Sequence, residues 1–254
     1  MPRFAANLSL MYQDKPFIER FAKARQDGFL AVECQFPYPE FTGVSLADIR
    51  RELDSNQLEM VLHNLWPGDW AAGDRGLAAM PGRQTEFREH LQGAIEYAKV
   101  LGVSRLNCLA GLVQNDKANA LQDEVLIDNL TWAAKELQVA GLNLMIEAIN
   151  TYDMPGFYLH HSQQTIEVLM QVPANNIFLQ YDAYHMHRMG ENIMEIEALM
   201  PLIGHIQIAD HPGRHEPGTG EIPYAAFFDL LDDLSYSGWV GCEYTILERA
   251  NFFS

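Results

Sequence analysis

LNLMIEAI at residues 142–149 and NIFLQYD at 176–182 are apolar almost throughout, and each carries a single acid at or near its C-terminal end. A strand with one face in water alternates polar and apolar residues. A continuous apolar run of this length fits a strand of a parallel sheet covered on both faces. The same phrase recurs along the chain. Strands are expected at 4–10, 31–35, 59–65, 105–109, 143–149, 177–182, 205–209 and 239–244. Amphipathic stretches between them predict helices at 16–27, 45–56, 84–101, 117–140, 162–172, 192–200 and 224–234. Pro16 suits a first helical turn and Gly28 a helix end, and Leu91, Ile95, Ala98 and Leu101 recur at helical spacing before Gly102. Eight β phrases alternating with helices over 254 residues predict an α/β fold, a single (β/α)8 TIM barrel spanning residues 1–254. The rival doubly wound sheet usually shows a glycine-rich phosphate turn after its first strand. Here that strand runs into Leu10-Met11-Tyr12-Gln13. After the eighth strand only TILERANFFS (245–254) remains, so a shortened C-terminal helix is expected, and with it a homo-oligomer that covers the exposed ring.

Composition narrows the function classes. Hydrophobic residues make up 48% of the chain and charged residues 20%, enough apolar material for one large core and too much for a disordered chain. The formal net charge of −17 opposes a nucleic-acid or anionic-membrane partner, because both reward Lys/Arg patches. No apolar run approaches the roughly 20 residues that cross a bilayer. The N-terminus has no long apolar stretch of the signal-peptide kind. Cys34, Cys108 and Cys242 are odd in number and far apart, which argues against a zinc knuckle or disulfide framework. A reduced, cytoplasmic protein is expected.

In a barrel of this kind the active site lies at the C-terminal ends of the strands. Polar residues that interrupt or end apolar runs are therefore informative. Glu147 in MIEAIN, Asp182 in LQYDAYH, Gln207 in HIQIAD and Glu243 in GCEY fall on four successive strands. Any one of them alone reads as a solvated rim group or a helix cap. Three buried carboxylates with no sequence-near Lys or Arg call for compensation, and a divalent cation is the simplest. Oxygen ligands favour Mg²⁺ or Mn²⁺.

At these residues the chain resembles the hydroxypyruvate isomerase family within the xylose-isomerase-like TIM-barrel superfamily. The matching segments are FAANLS (4–9), HN (63–64), PGDWAAGDRG (67–76), PGR (81–83), IEAIN (146–150), QYDAYHMHRM (180–189), GHIQIAD (204–210), GRHEPGTGEI (213–222) and GWVGCEY (238–244). The resemblance implies a divalent-metal site on Glu147, Asp182, Gln207 and Glu243, with Glu147 and Glu243 flanking the substrate and moving protons. Related ketose epimerases usually place His where Gln207 stands. The family usually continues past CEY with Lys-Pro and a further helix, whereas this chain continues with Thr245-Ile246-Leu247.

The implied reaction interconverts hydroxypyruvate and tartronate semialdehyde through a cis-enediolate held by the metal, with no nicotinamide or flavin. His185, three residues after Asp182, is expected to reach a substrate oxygen. Arg214, in the loop HPGRHEPGTG, suits the substrate carboxylate, although a surface ion pair to Glu216 is the plainer reading. His63 is expected to line the pocket or to be a core histidine, and Asp153 to touch substrate. Glu33 reads as pocket rim. Trp66, Trp70 and GDWAAGDRG read as a lid or wall. The alternatives are a 2-oxo-tetronate isomerase, a ketose 3-epimerase, a metal-dependent endonuclease on the same barrel, and a non-catalytic sugar-acid sensor.

Overall fold

Each apolar run pairs in parallel with the next, and the last pairs with the first. The computed structural model describes residues 1–114 and 120–247. Its strands are β1 (Arg3–Asn7), β2 (Ala31–Cys34), β3 (Glu59–Asn64), β4 (Arg105–Cys108), β5 (Asn143–Glu147), β6 (Ile177–Asp182), β7 (Ile203–Ile208) and β8 (Trp239–Cys242). They form a closed barrel in chain order, and β1 and β8 complete it through the register Arg3↔Trp239 to Ala6↔Cys242. This is the (β/α)8 barrel that the repeated phrase predicts.

The helices α1 (Arg20–Gln26), α2 (Pro39–Thr42), α3 (Leu46–Asn56), α4 (Gln84–Leu101), α5 (Ala120–Val139), α6 (Ser162–Leu169), α7 (Ala183–Arg188) and α8 (Tyr224–Asp233) surround or cap the barrel. In α4 the expected stripe is buried as Phe87, Leu91, Ala94, Ile95, Ala98 and Leu101. The helix ends at Gly102, whose φ of 76° a side chain would resist. Each large apolar residue of such a stripe contributes roughly 1.5–3 kcal/mol by leaving water. Ser45 starts α3 by accepting a hydrogen bond from the Asp48 amide, 3.2 Å away.

In places the helices differ from expectation. The helix expected at 192–200 is a 3₁₀ helix over Ile193–Leu202 with Pro201 inside it. A proline removes an α-type donor and crowds the preceding turn, and the tighter winding accommodates it. The short α7 was absent from the sequence reading. Asp182 creates it, because its side chain accepts from the amides of Tyr184 and His185. The first residues of the helix expected at 117–140 and the shortened helix expected within 245–254 lie in part outside the described residues, at 117–119 and 248–254.

A large apolar layer fills the space between barrel and helices. A smaller cluster of Ala5, Ala31, Val61, Leu62 and Met145, with Phe178 and Trp239 against it, plugs the barrel interior. Above that plug, toward the C-terminal ends of the strands, the interior turns polar, with Asn7, Glu33, Asn107, Gln180, His205 and Gln207 all buried. Among the described residues no helix is long and apolar enough to cross a membrane.

Candidate active site

Side chains two apart on a strand share a face, so an inward residue at a strand end has another below it. Glu147 is level with Gln180 across β5 and β6, Asp182 with Gln207 across β6 and β7, and Gln207 with Gly241 across β7 and β8. Glu243 follows β8. One ligand atom from each of Glu147, Asp182, His185 and Glu243 lies within 4.8 Å of the others, and all four residues are buried. The structure thus brings together three of the four residues expected to hold metal, and adds His185.

Each member has its own holders. Glu147 Oε2 accepts from Asn107 Nδ2 at 2.8 Å and Gln180 Nε2 at 3.0 Å. Glu243 Oε1 accepts from Gln35 Nε2 at 2.9 Å and Asn7 Nδ2 at 3.3 Å, while its Oε2 accepts from Arg214 Nη2 at 2.5 Å. Asp182 Oδ1 is used in starting α7, at 2.8 Å from the Tyr184 amide. Its Oδ2 is buried without a hydrogen-bond partner, 3.7 Å from Arg214 Nη2 and 3.5 Å from His185 Nε2.

Arg214 reaches the cluster because its loop is curled from within. The fully buried Asp210 accepts from the amides of His211, Gly218, Gly220 and Ile222. Arg214 Nε also donates to the Glu243 carbonyl at 3.2 Å, and the Thr245 amide donates back to the Arg214 carbonyl at 3.0 Å. Arg214 is therefore paired with Glu243, not with Glu216. Its side chain keeps 24% exposure, which leaves it open to an entering anion.

The protonation pattern follows from burial and from three acids sharing one cation. Burial, then the charges of Glu243 and Asp182, push the Glu147 carboxyl well above the usual range; Asn107 and Arg214 oppose this. Burial and Glu243 push Asp182 up to about 7 against Arg214 and the α7 amides. Burial, then Arg214, hold the His185 imidazole well below its ordinary value, so the ring is neutral. For Arg214, burial works against the charge, but Glu243 and Asp182 outweigh it and raise its pKa.

These residues fit a hard divalent cation. Oxygen donors from three strands converge, one of them is an orphaned buried carboxylate oxygen, and a single guanidinium leaves the acids under-compensated. Gln207 stands differently. Its Oε1 accepts from Gln180 Nε2 at 2.7 Å and its Nε2 donates to Glu33 Oε1 at 2.6 Å, so its amide is held within the polar layer below the acid cluster.

The remaining expected residues are placed as follows. His63 is level with Cys34 and Leu106, both in the outer apolar layer, and its ring meets Tyr38 edge-on at 6.2 Å, away from the acid cluster. Burial lowers its pKa to about 4. Asp153 is paired with Arg188 and accepts from Tyr184 Oη at 2.8 Å. Burial alone would raise it, but hydrogen bonds from Asn150, Tyr184 and Arg188 bring it to about 2. Trp66 packs against Tyr38 and stacks on His90. Trp70 lines a cleft of about 490 Å³ together with Ser9, Phe36, Phe41 and Gln35, the residue that also holds Glu243.

Glu33 corrects its reading as pocket rim. It is fully buried inside the barrel, where Asn7, Gln207 and His205 converge on its carboxylate at 2.9, 2.6 and 2.7 Å. Asn7 and Gln207–Gln180 link it to Glu243 and Glu147. Gly241 leaves room for it, since a Cβ there would lie 2.4 Å from both Glu33 oxygens. The sequence held a signal for this layer: Gln35, Gln207 and Asp182 each have a polar residue two positions earlier, at Glu33, His205 and Gln180.

A family model described as the xylose isomerase-like TIM barrel matches residues 21–251. The chain belongs to that family. Among its relatives, the 2-oxo-tetronate isomerase of Cupriavidus necator is 45% identical over 245 residues, 96% of this chain and 93% of the relative. The hydroxypyruvate isomerase of Escherichia coli is 44% identical over the same shares. A crystal structure titled AP endonuclease, family 2, from Brucella melitensis superposes with a TM-score of 0.94 at 39% identity, covering 99% of this chain and 96% of that one. An L-ribulose 3-epimerase structure, at 22% identity and a TM-score of 0.79, shares the fold.

Proposed function

We propose that this chain is an isomerase of a small hydroxy-oxo acid, converting hydroxypyruvate to tartronate semialdehyde with Glu147 and Glu243 as the acid–base pair. The observation that carries this reading is two buried glutamates from β5 and the end of β8 meeting beside one arginine, in a chain 44% identical to a named hydroxypyruvate isomerase. The 2-oxo-tetronate isomerase relative at 45% identity supports a second reading, with the same chemistry on an acid one carbon longer.

In the forward direction one glutamate removes a proton from the hydroxyl-bearing carbon next to the carbonyl. The electron pair becomes the enediolate, the hydroxyl proton passes to the former carbonyl oxygen, and the other glutamate returns a proton to the neighbouring carbon. Glu243 accepts from three side-chain N–H donors, those of Asn7, Gln35 and Arg214. Glu147 is pushed toward its acid form and suits the return of the proton. The reverse reaction exchanges the roles. Arg214 offers its fork to the substrate carboxylate. A divalent cation, Mg²⁺ or Mn²⁺, held by Glu147, Asp182 and Glu243 would supply positive charge opposite the enediolate oxygens.

The test is a panel of hydroxypyruvate, 2-oxo-tetronate and free ketoses with Mg²⁺ or Mn²⁺. Turnover of one of the acids is expected. Glu147→Gln and Glu243→Gln should each lower kcat by about 10²-fold or more with the fold intact. Turnover of ketoses alone, or cleavage of abasic DNA without turnover of either acid, would overturn the reading. The net charge of −17 speaks against the DNA substrate. A cytoplasmic location and a homo-oligomer belong to the same proposal, and a monomer in light scattering removes the latter.

A further inference from the structure

Glu33, on β2, is fully buried inside the barrel, and its two side-chain oxygens meet different partners. Oε2 lies 2.7 Å from His205 Nε2. Oε1 accepts from two side-chain amides, Asn7 Nδ2 at 2.9 Å and Gln207 Nε2 at 2.6 Å. An amide side chain has a donor end and an acceptor end, so a contact of this kind fixes which way the whole group points.

Two chains of directed hydrogen bonds leave this oxygen. In the first, the Asn7 carbonyl is taken by the Ser9 amide at 3.0 Å, and the Asn7 NH₂ donates to Glu33 Oε1 and to Glu243 Oε1, the latter at 3.3 Å. In the second, Gln207 turns its NH₂ to Glu33 and its carbonyl to Gln180, which donates to it at 2.7 Å. The Gln180 NH₂ also donates to Glu147 Oε2 at 3.0 Å. The Gln180 carbonyl oxygen is buried without a partner among the described residues, so that end does not choose the direction of its amide. Reversing Gln207 would set its carbonyl against Glu33 Oε1 and its NH₂ against that of Gln180. Both chains end on one oxygen of a glutamate, and each of those oxygens has a second amide donor, Asn107 for Glu147 and Gln35 for Glu243.

We infer that Glu33 is a positioning residue: by accepting from Asn7 and Gln207 at once, it directs an amide N–H at one oxygen of Glu147 and one of Glu243, and so sets the aim of the other oxygen of each. Its effect on proton transfer rests on the isomerase reading; the direction of the amides does not. What the device uses is the place of an acceptor, at the full length of a glutamate side chain. A misplacement of about 1 Å in a reacting group can cost about 10²-fold in rate, which gives a remote holder its leverage.

Two variants of the full chain separate reach from charge. Glu33→Gln keeps an oxygen at the same reach, where two donors favour it over the NH₂ end. Glu33→Asp keeps the carboxylate and withdraws it by one methylene. On the acid that the wild type turns over, kcat should be at least about tenfold higher in Glu33→Gln than in Glu33→Asp, with KM within about threefold in both, because Arg214 hydrogen-bonds Glu243 and not this layer. A Glu33→Asp variant as active as Glu33→Gln, or a loss confined to KM, overturns the inference. Neutron diffraction from deuterium-exchanged crystals of the wild type needs no variant. Deuterons are expected on the Gln207 nitrogen facing Glu33 and on the Gln180 nitrogen facing Glu147. A reversed amide at either residue overturns the inference, and these maps decide it should a variant fail to fold. In a protein that turns over neither acid, the isomerase reading falls and the maps alone decide whether Glu33 directs the amides.

Discussion

Asp182→Asn perturbs the charge of the site while keeping its framework. Asp182 Oδ1 starts α7, and an asparagine oxygen does the same. Burial and the charge of Glu243 move the Asp182 carboxyl from 3.8 to about 7. A pKa higher in the folded than in the unfolded chain means that the native state holds the proton more tightly. The associated stability is present in full below about pH 4 and is lost as pH rises through about 7. At about 1.4 kcal/mol per pKa unit, the ionised side chain costs the metal-free protein roughly 4 kcal/mol at pH 8. Asparagine has no such charge. In urea unfolding with a chelator present, Asp182→Asn should be more stable than wild type by about 2–4 kcal/mol at pH 8, and the difference should fall below about 1 kcal/mol near pH 4. Added Mg²⁺ or Mn²⁺ should narrow or reverse the ranking at pH 8, because the cation stabilises the wild-type carboxylate. A difference that does not vary with pH, or a variant less stable at pH 8, would refute the claim that the acid cluster is under-compensated.

Three further outcomes are expected. Gly241→Ala drives a methyl to 2.4 Å from both Glu33 oxygens, and should lower the melting temperature by roughly 5–10 °C in calorimetry. An unchanged melting temperature means that the Glu33 layer yields easily. A divalent cation at about 100 times its Kd should stabilise the protein by about 2.7 kcal/mol. Protons compete for Glu147 and Asp182, so binding should be weaker at pH 6 than at pH 8; calorimetric affinities equal at the two values contradict the raised carboxyls. Arg214→Lys keeps the charge and loses the planar fork. The KM for an acid substrate should rise about tenfold with little change in melting temperature, and an unchanged KM removes Arg214 from carboxylate binding.

Much of the acid site was legible because its members sit where a local pattern breaks. Glu147 and Asp182 interrupt or end apolar runs, and Glu243 follows one. A barrel sends the ends of all its strands to one mouth, so proximity followed from the fold. His185 could be read from its spacing to Asp182, but not its contact with the Asn150 amide, 35 positions away. Glu33 was misread as rim because its partners are remote. His205 lies 172 positions further along the chain, and the space for the carboxylate comes from a missing side chain at Gly241.

The order of the strands, the burial of both faces of the sheet and the helix ends at Gly28 and Gly102 were determined by sequence alone, because hydrophobic periodicity and glycine's backbone freedom act within a few residues. Only closure of the barrel decided that Arg214 meets Glu243, that Gln207 is tied to Gln180 and Glu33, and that His63 faces outward. Those choices depend on register between strands and on which donors remain for each buried acceptor. Such competition among remote groups leaves no local pattern along the chain.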